Sequence, residues 1–213
     1  MPYDGICKTS PNYNLTNRKV STLGREFELK YRADSGIISA IREKFGEFTS
    51  ISLETAYYDT VNADFSKKHW TLRRRYENGL SVCTLKTPAP GGGRGEWEVH
   101  APDIQSGLAA LLALDTPAEL EELSSLPVVL TCGARFTRLA KTIPIPGALL
   151  ELALDEGVLL GGGRELPFAE VEAELKEGSE EAVRAFAEAL AAEFSLTEEK
   201  RSKHVRAMLL TQK

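Results

Sequence analysis

The feature that most constrains this chain is a set of strands in which one whole face is ionisable while the other is apolar. From Arg25 to Arg32 the alternation is strict: Glu26, Glu28, Lys30 and Arg32 fall on one side, Phe27, Leu29 and Tyr31 on the other. That period of two predicts a β-strand. The pattern returns at Arg73/Arg75, at Thr84/Lys86, at Arg94/Glu96/Glu98 and at Glu170/Glu172/Glu174/Lys176. An antiparallel sheet often turns a polar face to water. Arg73-Arg-Arg75 and Glu170-x-Glu-x-Glu174, however, stack like charges on one side of a strand, where a solvated surface would mix signs.

Further strands are predicted at Ser52–Thr60, Trp70–Tyr76, Leu80–Thr87, Val128–Ile143, Ala148–Asp155 and Glu165–Lys176. Asn78-Gly79 between two alternating runs marks a tight hairpin. Asp34 or Ser35 caps a helix with apolar Ile37, Ile41, Phe45 and Phe48. Asp103 starts another, Thr116-Pro-Ala-Glu119 reads as a capping box, Ser179 opens a helix with Val183, Phe186, Leu190 and Phe194, and a short helix falls near Glu198–Leu210. Residues 1–20, rich in Asn, Thr and Ser, read as a flexible lead-in, and 21–213 as a single domain. The class is α+β, with about eight mostly hairpin-connected strands.

The helices bring apolar faces to the apolar side of the sheet, so the charged side must enclose something else. A sheet closed on itself with that face inward, an eight-stranded antiparallel barrel with helices outside, meets the requirement. Inside such a tunnel a like-charged pair at ~4 Å costs about 4 kcal/mol at an effective dielectric of ~20. Ligands resolve the conflict: clustered carboxylates suit hard Mg²⁺ or Mn²⁺, and guanidinium forks suit phosphate oxygens. A metal-bound triphosphate satisfies both walls.

The formal charge of −5 gives no reason to expect duplex nucleic acid. No apolar run approaches the ~20 residues of a membrane span, and a cytoplasmic protein is expected. Cys7, Cys83 and Cys132 lie far apart without a C-x-x-C pair and read as reduced thiols. His69, His100 and His204 share no ligand spacing and read as strand-end or surface residues. Trp70 and Trp97 read as core between sheet and helices, and Gly91–Gly93 and Gly161–Gly163 as hairpin loops rather than a P-loop.

Glu26-Phe-Glu-Leu-Lys30 resembles the Glu-x-Glu-x-Lys signature of the CYTH superfamily, the triphosphate tunnel metalloenzymes. The resemblance continues in order through Tyr57-Tyr-Asp-Thr60, Leu72-Arg-Arg-Arg75, Thr84-Leu-Lys86, Arg94-Gly-Glu-Trp-Glu98, Glu151 to Asp155-Glu-Gly157, Glu170-Val-Glu-Ala-Glu-Leu-Lys176 and Ser202-Lys203, covering Arg25 to about Arg206. It implies that Lys30, Arg73, Arg75, Lys86 and Lys203 grip phosphate, together with Arg135 or Arg138; parity favours Arg138. It implies that Glu170 and Glu172, helped by Asp155, hold a first metal. Glu26 and Glu28 are implied as catalytic with Lys30, holding a second metal or orienting the attacking water. Glu96, Glu98 and Glu174 share the face as additional tunnel acids.

The family's tunnel serves inorganic triphosphatases, thiamine triphosphatases, adenylyl cyclases of class IV and RNA triphosphatases. The wording around Glu170–Lys176 and Ser202-Lys203-x-x-Arg206 resembles the bacterial inorganic triphosphatase branch, often fused to a helical CHAD domain, for which residues 1–213 are expected to leave no room. Hydrolysis of inorganic triphosphate to pyrophosphate and phosphate, with Mg²⁺ or Mn²⁺, is the leading expectation. An enzyme acting on thiamine or nucleoside triphosphate, or a cyclase, is the second. A non-catalytic polyphosphate-binding module is the third. The expected partner is a small triphosphate, without nucleic acid or membrane, and the sequence sets no oligomeric state.

Overall fold

The computed structural model describes residues 20–22, 27–88 and 94–212. Ten strands among these residues form one antiparallel sheet: β1 (Val20–Thr22), β2 (Glu28–Ala33), β3 (Thr49–Thr60), β4 (Thr71–Glu77), β5 (Leu80–Pro88), β6 (Arg94–His100), β7 (Val128–Ile145), β8 (Ala148–Gly161), β9 (Arg164–Gly178) and β10 (Thr197–Glu198). Their spatial order is β1-β6-β5-β4-β3-β7-β8-β9-β2-β10. The helices are α1 (Ser35–Phe45), α2 (Asp64–Lys67), α3 (Ile104–Leu112), α4 (Glu119–Ser124), α5 (Glu180–Glu193) and α6 (Lys203–Thr211). None is long and apolar enough to cross a membrane.

The α+β class with an antiparallel sheet is therefore as expected, the sheet having ten described strands rather than about eight and no closing ladder among the described residues. β1 and β10 are its edges. Residues on β2, β4, β5, β6, β7, β8 and β9 nevertheless line one common cavity, so the sheet curls until its far strands face one another. Five residues separate Thr22 of β1, on β6, from Glu28 of β2, on β9. A chain of that length spans at most about 20 Å, which bounds the separation of Thr22 and Glu28. Val20, read as the end of the lead-in, opens β1.

Local chemistry explains most element ends. Asp34 accepts from the Ile37 N–H and Asp103 from the Ser106 N–H, capping α1 and α3, and Ser179 does the same for α5. Asn78 and Gly79 both take positive φ, as the two-residue hairpin between β4 and β5 requires. The capping box does not form: α4 begins at Glu119 with Ala118 flanking it, and the Leu120 N–H reaches back to the Pro117 carbonyl. α2 is a single turn built on buried Asp59, whose carboxylate accepts from the N–H groups of Phe65 and Ser66.

The apolar face of the sheet is covered in two places. α1 and α5 pack Ile38, Ile41, Val183, Ala187 and Leu190 against Tyr31, Leu152, Leu154 and Val171. α3 and α4 pack Ile104, Leu108, Leu111, Leu120 and Leu123 against Leu72, Cys83, Leu85 and Trp97. α6 goes elsewhere, onto the concave face. On β7, β8 and β9 that face is apolar at one end, with Ala134, Phe136, Leu159 and Phe168, before turning charged at Arg138, Asp155 and Glu170. Ala207 of α6 is buried against the apolar end. Gly161 permits the approach, since a Cβ there would lie 2.4 Å from the Ala207 carbonyl oxygen.

Gly107 supplies a test of the packing under α3. Alanine in a helix gains about 1 kcal/mol over glycine, but a Cβ at 107 would lie 2.4 Å from Cys83 Sγ and 2.6 Å from its Cβ. Overpacking of ~1–3 kcal/mol should win. Gly107→Ala is expected to lower the denaturant midpoint at unchanged slope; a raised midpoint would contradict this packing.

Candidate active site

The charged face encloses a cavity of about 720 Å³. Ladder register places its groups in rows: Glu28, Lys30 and Arg32 of β2 stand beside Glu174, Glu172 and Glu170 of β9. Glu174 and Glu170 in turn stand beside Glu151 and Asp155 of β8, and Asp155 beside Arg138 of β7. Across the cavity, Arg73 of β4 neighbours Thr84 of β5, and Lys86 neighbours Glu96 of β6.

The acidic wall centres on Asp155, Glu170 and Glu172, all buried, with one oxygen of each within 4.8 Å of the others. Three cations meet them. Arg138 donates from Nε and Nη2 to both oxygens of Asp155, at 2.8 and 2.7 Å, and also to Glu172. Lys203 Nζ, from the first residue of α6, lies 2.7 Å from Asp155 and 2.8 Å from Glu172 and contacts Glu170. Arg206, one turn further along α6, pairs with the other oxygen of Glu170. Burial opposes charge on Glu172, yet Lys203 and Arg138 outweigh it and hold its carboxyl well below the usual carboxylate range. Burial dominates at Glu170 and lifts it above that range despite Lys203. Lys203 and Arg138 lose to burial but gain more from the carboxylates, so both hold their protons more tightly than in water.

The basic wall is less well paired. Arg73 lies 3.6 Å from Glu96 and 3.8 Å from Glu98, while Lys86 pairs with Glu96 at 3.2 Å and Glu98 accepts from Thr84. Arg75 pairs with Glu77 at 3.2 Å, and burial followed by repulsion from Arg73 lowers its proton affinity. The Nε groups of Arg73 and Arg75 are buried with no acceptor among the described residues. Such orphaned donors are what an anion in the cavity satisfies.

Lys30 pairs with Glu28 at 3.2 Å, and Lys176 with Glu174 at 2.9 Å and Glu151 at 3.8 Å. Arg138 lines the cavity, whereas Arg135 points away and pairs with exposed Glu165. Glu26 lies outside the described residues. Three participants were not expected. Arg206 was legible, since it sits three residues after Lys203 on one helical face. His204, read as a surface or strand-end residue, instead lines the cavity and stacks on Tyr57 with ring centroids 4.7 Å apart. Glu199, 4% exposed, accepts from Arg32 and Arg201 and lies 3.9 Å from Arg206, while its N–H donates to the Lys30 carbonyl. It ties the approach to α6 onto β2.

The family model of the CYTH domain matches residues 24–208. The inorganic triphosphatase of Haemophilus influenzae is 27% identical over 196 residues, and the match covers 89% of this chain but 56% of that protein, so the chain spans little more than half of its relative. Among solved structures, HpAC1 of Hippeastrum, reported to show a dominant triphosphatase activity, aligns with a TM-score of 0.66 at 20% identity over 87% of this chain and 96% of its own. The PH1819 protein of Pyrococcus horikoshii aligns with a TM-score of 0.56 at 26% identity, covering 88% and 99%.

Glu199 generates a pH prediction. Hydrogen bonds from Arg201, then Arg32, lower its carboxyl from an ordinary 4.5 to about 2. A depressed carboxylate stabilises the fold above its unfolded value, and the contribution is lost as pH falls through the folded one. Glu199→Gln is expected to cost about 1–3 kcal/mol at pH 7, toward the lower figure because Arg32 and Arg201 are half-exposed. The gap from the parent protein should close between pH 4.5 and about 2. A gap constant across that window would contradict the assignment.

Proposed function

The chain belongs to the CYTH domain family, and we propose from that premise that its cavity hydrolyses a triphosphate with the help of a divalent cation. Inorganic triphosphate is the substrate the residues favour, with pyrophosphate and phosphate as products. The observation that carries this reading is the pair of buried, acceptor-less Nε donors of Arg73 and Arg75 across the cavity from three converging carboxylates. The likeness to a protein named inorganic triphosphatase supports it.

The donor set fits a hard dication: Asp155, Glu170 and Glu172 offer only oxygen, and all three are buried. These residues would hold Mg²⁺ or Mn²⁺, with Glu26 and Glu28 serving a second ion or orienting water. When bound, the cation offsets charge that develops on phosphate oxygens and lowers the pKa of coordinated water. Lys30, Arg73, Arg75, Lys86, Arg138 and Lys203 bind the phosphate oxygens and fix the chain of phosphorus atoms along the cavity. Glu96 and Glu98 position Lys86 and Arg73, and Glu174 holds Lys176. Water attacks the terminal phosphorus, the bond to the bridging oxygen breaks, and pyrophosphate leaves. No nucleophilic side chain is needed.

A bare triphosphate is favoured over a nucleotide because Tyr57, the aromatic group on this face of β3, is 4% exposed and already stacked on His204. Reduced, buried Cys83 and Cys132, each pushed up to about 11 by burial, accord with a cytoplasmic setting.

Release of phosphate and pyrophosphate from tripolyphosphate, ATP and thiamine triphosphate, compared with Mg²⁺, Mn²⁺, Ca²⁺ or chelator, tests the proposal. Fast release from tripolyphosphate with Mg²⁺ or Mn²⁺, and little with Ca²⁺ because its looser shell positions phosphate and water less tightly, is expected. Faster turnover of an organic triphosphate, or calcium rates equal to magnesium, would overturn it. The double variant Glu26→Gln, Glu28→Gln should lose about 10²–10³-fold in turnover; unchanged turnover would remove both residues from the reaction.

A further inference from the structure

Lys203 has a second task that phosphate binding does not describe. Its ammonium, on a side chain 10% exposed, sits where the three buried carboxylates converge. An ammonium has three donors, and Asp155, Glu170 and Glu172 are three acceptors. With Arg138 on Asp155 and Glu172, and Arg206 on Glu170, three negative charges face three positive ones. The cluster is thus neutral before any dication arrives. Lys203 and Arg138 both direct their donors at these carboxylates.

We propose that Lys203 is an internal stand-in for the dication: metal and lysine exchange at Asp155, Glu170 and Glu172, and the displaced ammonium turns to the phosphate. The inference rests on the metal-dependent reading above. The chemistry of the side chain suits exchange, because an ammonium is a compact point charge on a flexible stem, whereas a guanidinium fork is held by its plane. The rings of Phe136 and Phe168, 5.0 and 5.6 Å from Nζ, offer the ammonium a second favourable surface during the move. Metal and triphosphate are then coupled: each frees or engages Lys203 for the other, and by linkage each tightens the other's binding.

The test is calorimetric titration of Mn²⁺ without phosphate into the wild-type chain, Lys203→Met and Lys67→Met. Lys203→Met is expected to bind Mn²⁺ at least about tenfold more tightly than wild type, because a competing charge at contact distance has gone. Lys67→Met removes an exposed cation on α2 that pairs with Asp64 outside the cavity; it should change Mn²⁺ affinity by less than about twofold, since exposed, separated charges are screened. Equal affinity in all three, or an equal gain in both variants, overturns the exchange and leaves the metal reading standing. No Mn²⁺ uptake by any of them removes the metal reading and the exchange with it. Should Lys203→Met fail to fold, the ¹⁵N-lysine spectrum of the wild-type chain decides, with Lys203→Arg identifying the resonance. Mg²⁺ alone should move or broaden the protected Lys203 ammonium signal, and a signal unmoved at saturating Mg²⁺ overturns the proposal.

Discussion

The structure depends on the neutralisation of three buried carboxylates. Asp155, Glu170 and Glu172 stand on neighbouring strands with their oxygens converging. Burying such a group uncompensated costs several kcal/mol per ion. One counter-charge comes from β7 and two from α6. That demand explains why the last helix leaves the apolar side of the sheet, where the other long helices pack, and enters the concave side. Apolar Phe136, Leu159 and Phe168 give it a seat, Gly161 gives it room, and Glu199 fixes its approach. The contact that places α6 in the fold is also the contact that builds the cavity wall.

The opposite wall is organised by different physics. Arg73 and Arg75 share one side of β4, and burial together with their mutual repulsion weakens the hold of Arg75 on its proton. Glu96, Glu98 and Glu77 relieve this only in part, as the acceptor-less Nε groups show. One wall is therefore compensated internally, and the other keeps buried guanidinium donors without an acceptor among the described residues.

Period-two alternation made the charged face legible, and parity along β7 separated Arg138 from Arg135, which lies outside with Glu165. Alternation says which face a residue takes but not which strand stands beside it. The meeting of Asp155 with Glu170, or of Glu199 with Arg32, is a matter of long-range register and carried no local signal. β1 and β10 have three and two residues, too few for a period to show, and so about eight strands were expected where ten are described. Thr116 failed as a cap because Pro117 and Ala118 form a turn before α4 begins. Lys203 was legible as a cation, but its place among the carboxylates follows from α6 packing inside, which its amphipathic pattern does not distinguish from packing outside.

Anomalous diffraction from crystals grown with Mn²⁺ and a non-hydrolysable triphosphate decides whether one cavity takes a dication on its acidic wall and a triphosphate on its basic wall. A manganese peak bounded by Asp155, Glu170 and Glu172, with phosphate oxygens against Arg73 and Arg75, is expected. Manganese and phosphate bound together outside this cavity, with Lys203 still among the three carboxylates, would contradict it.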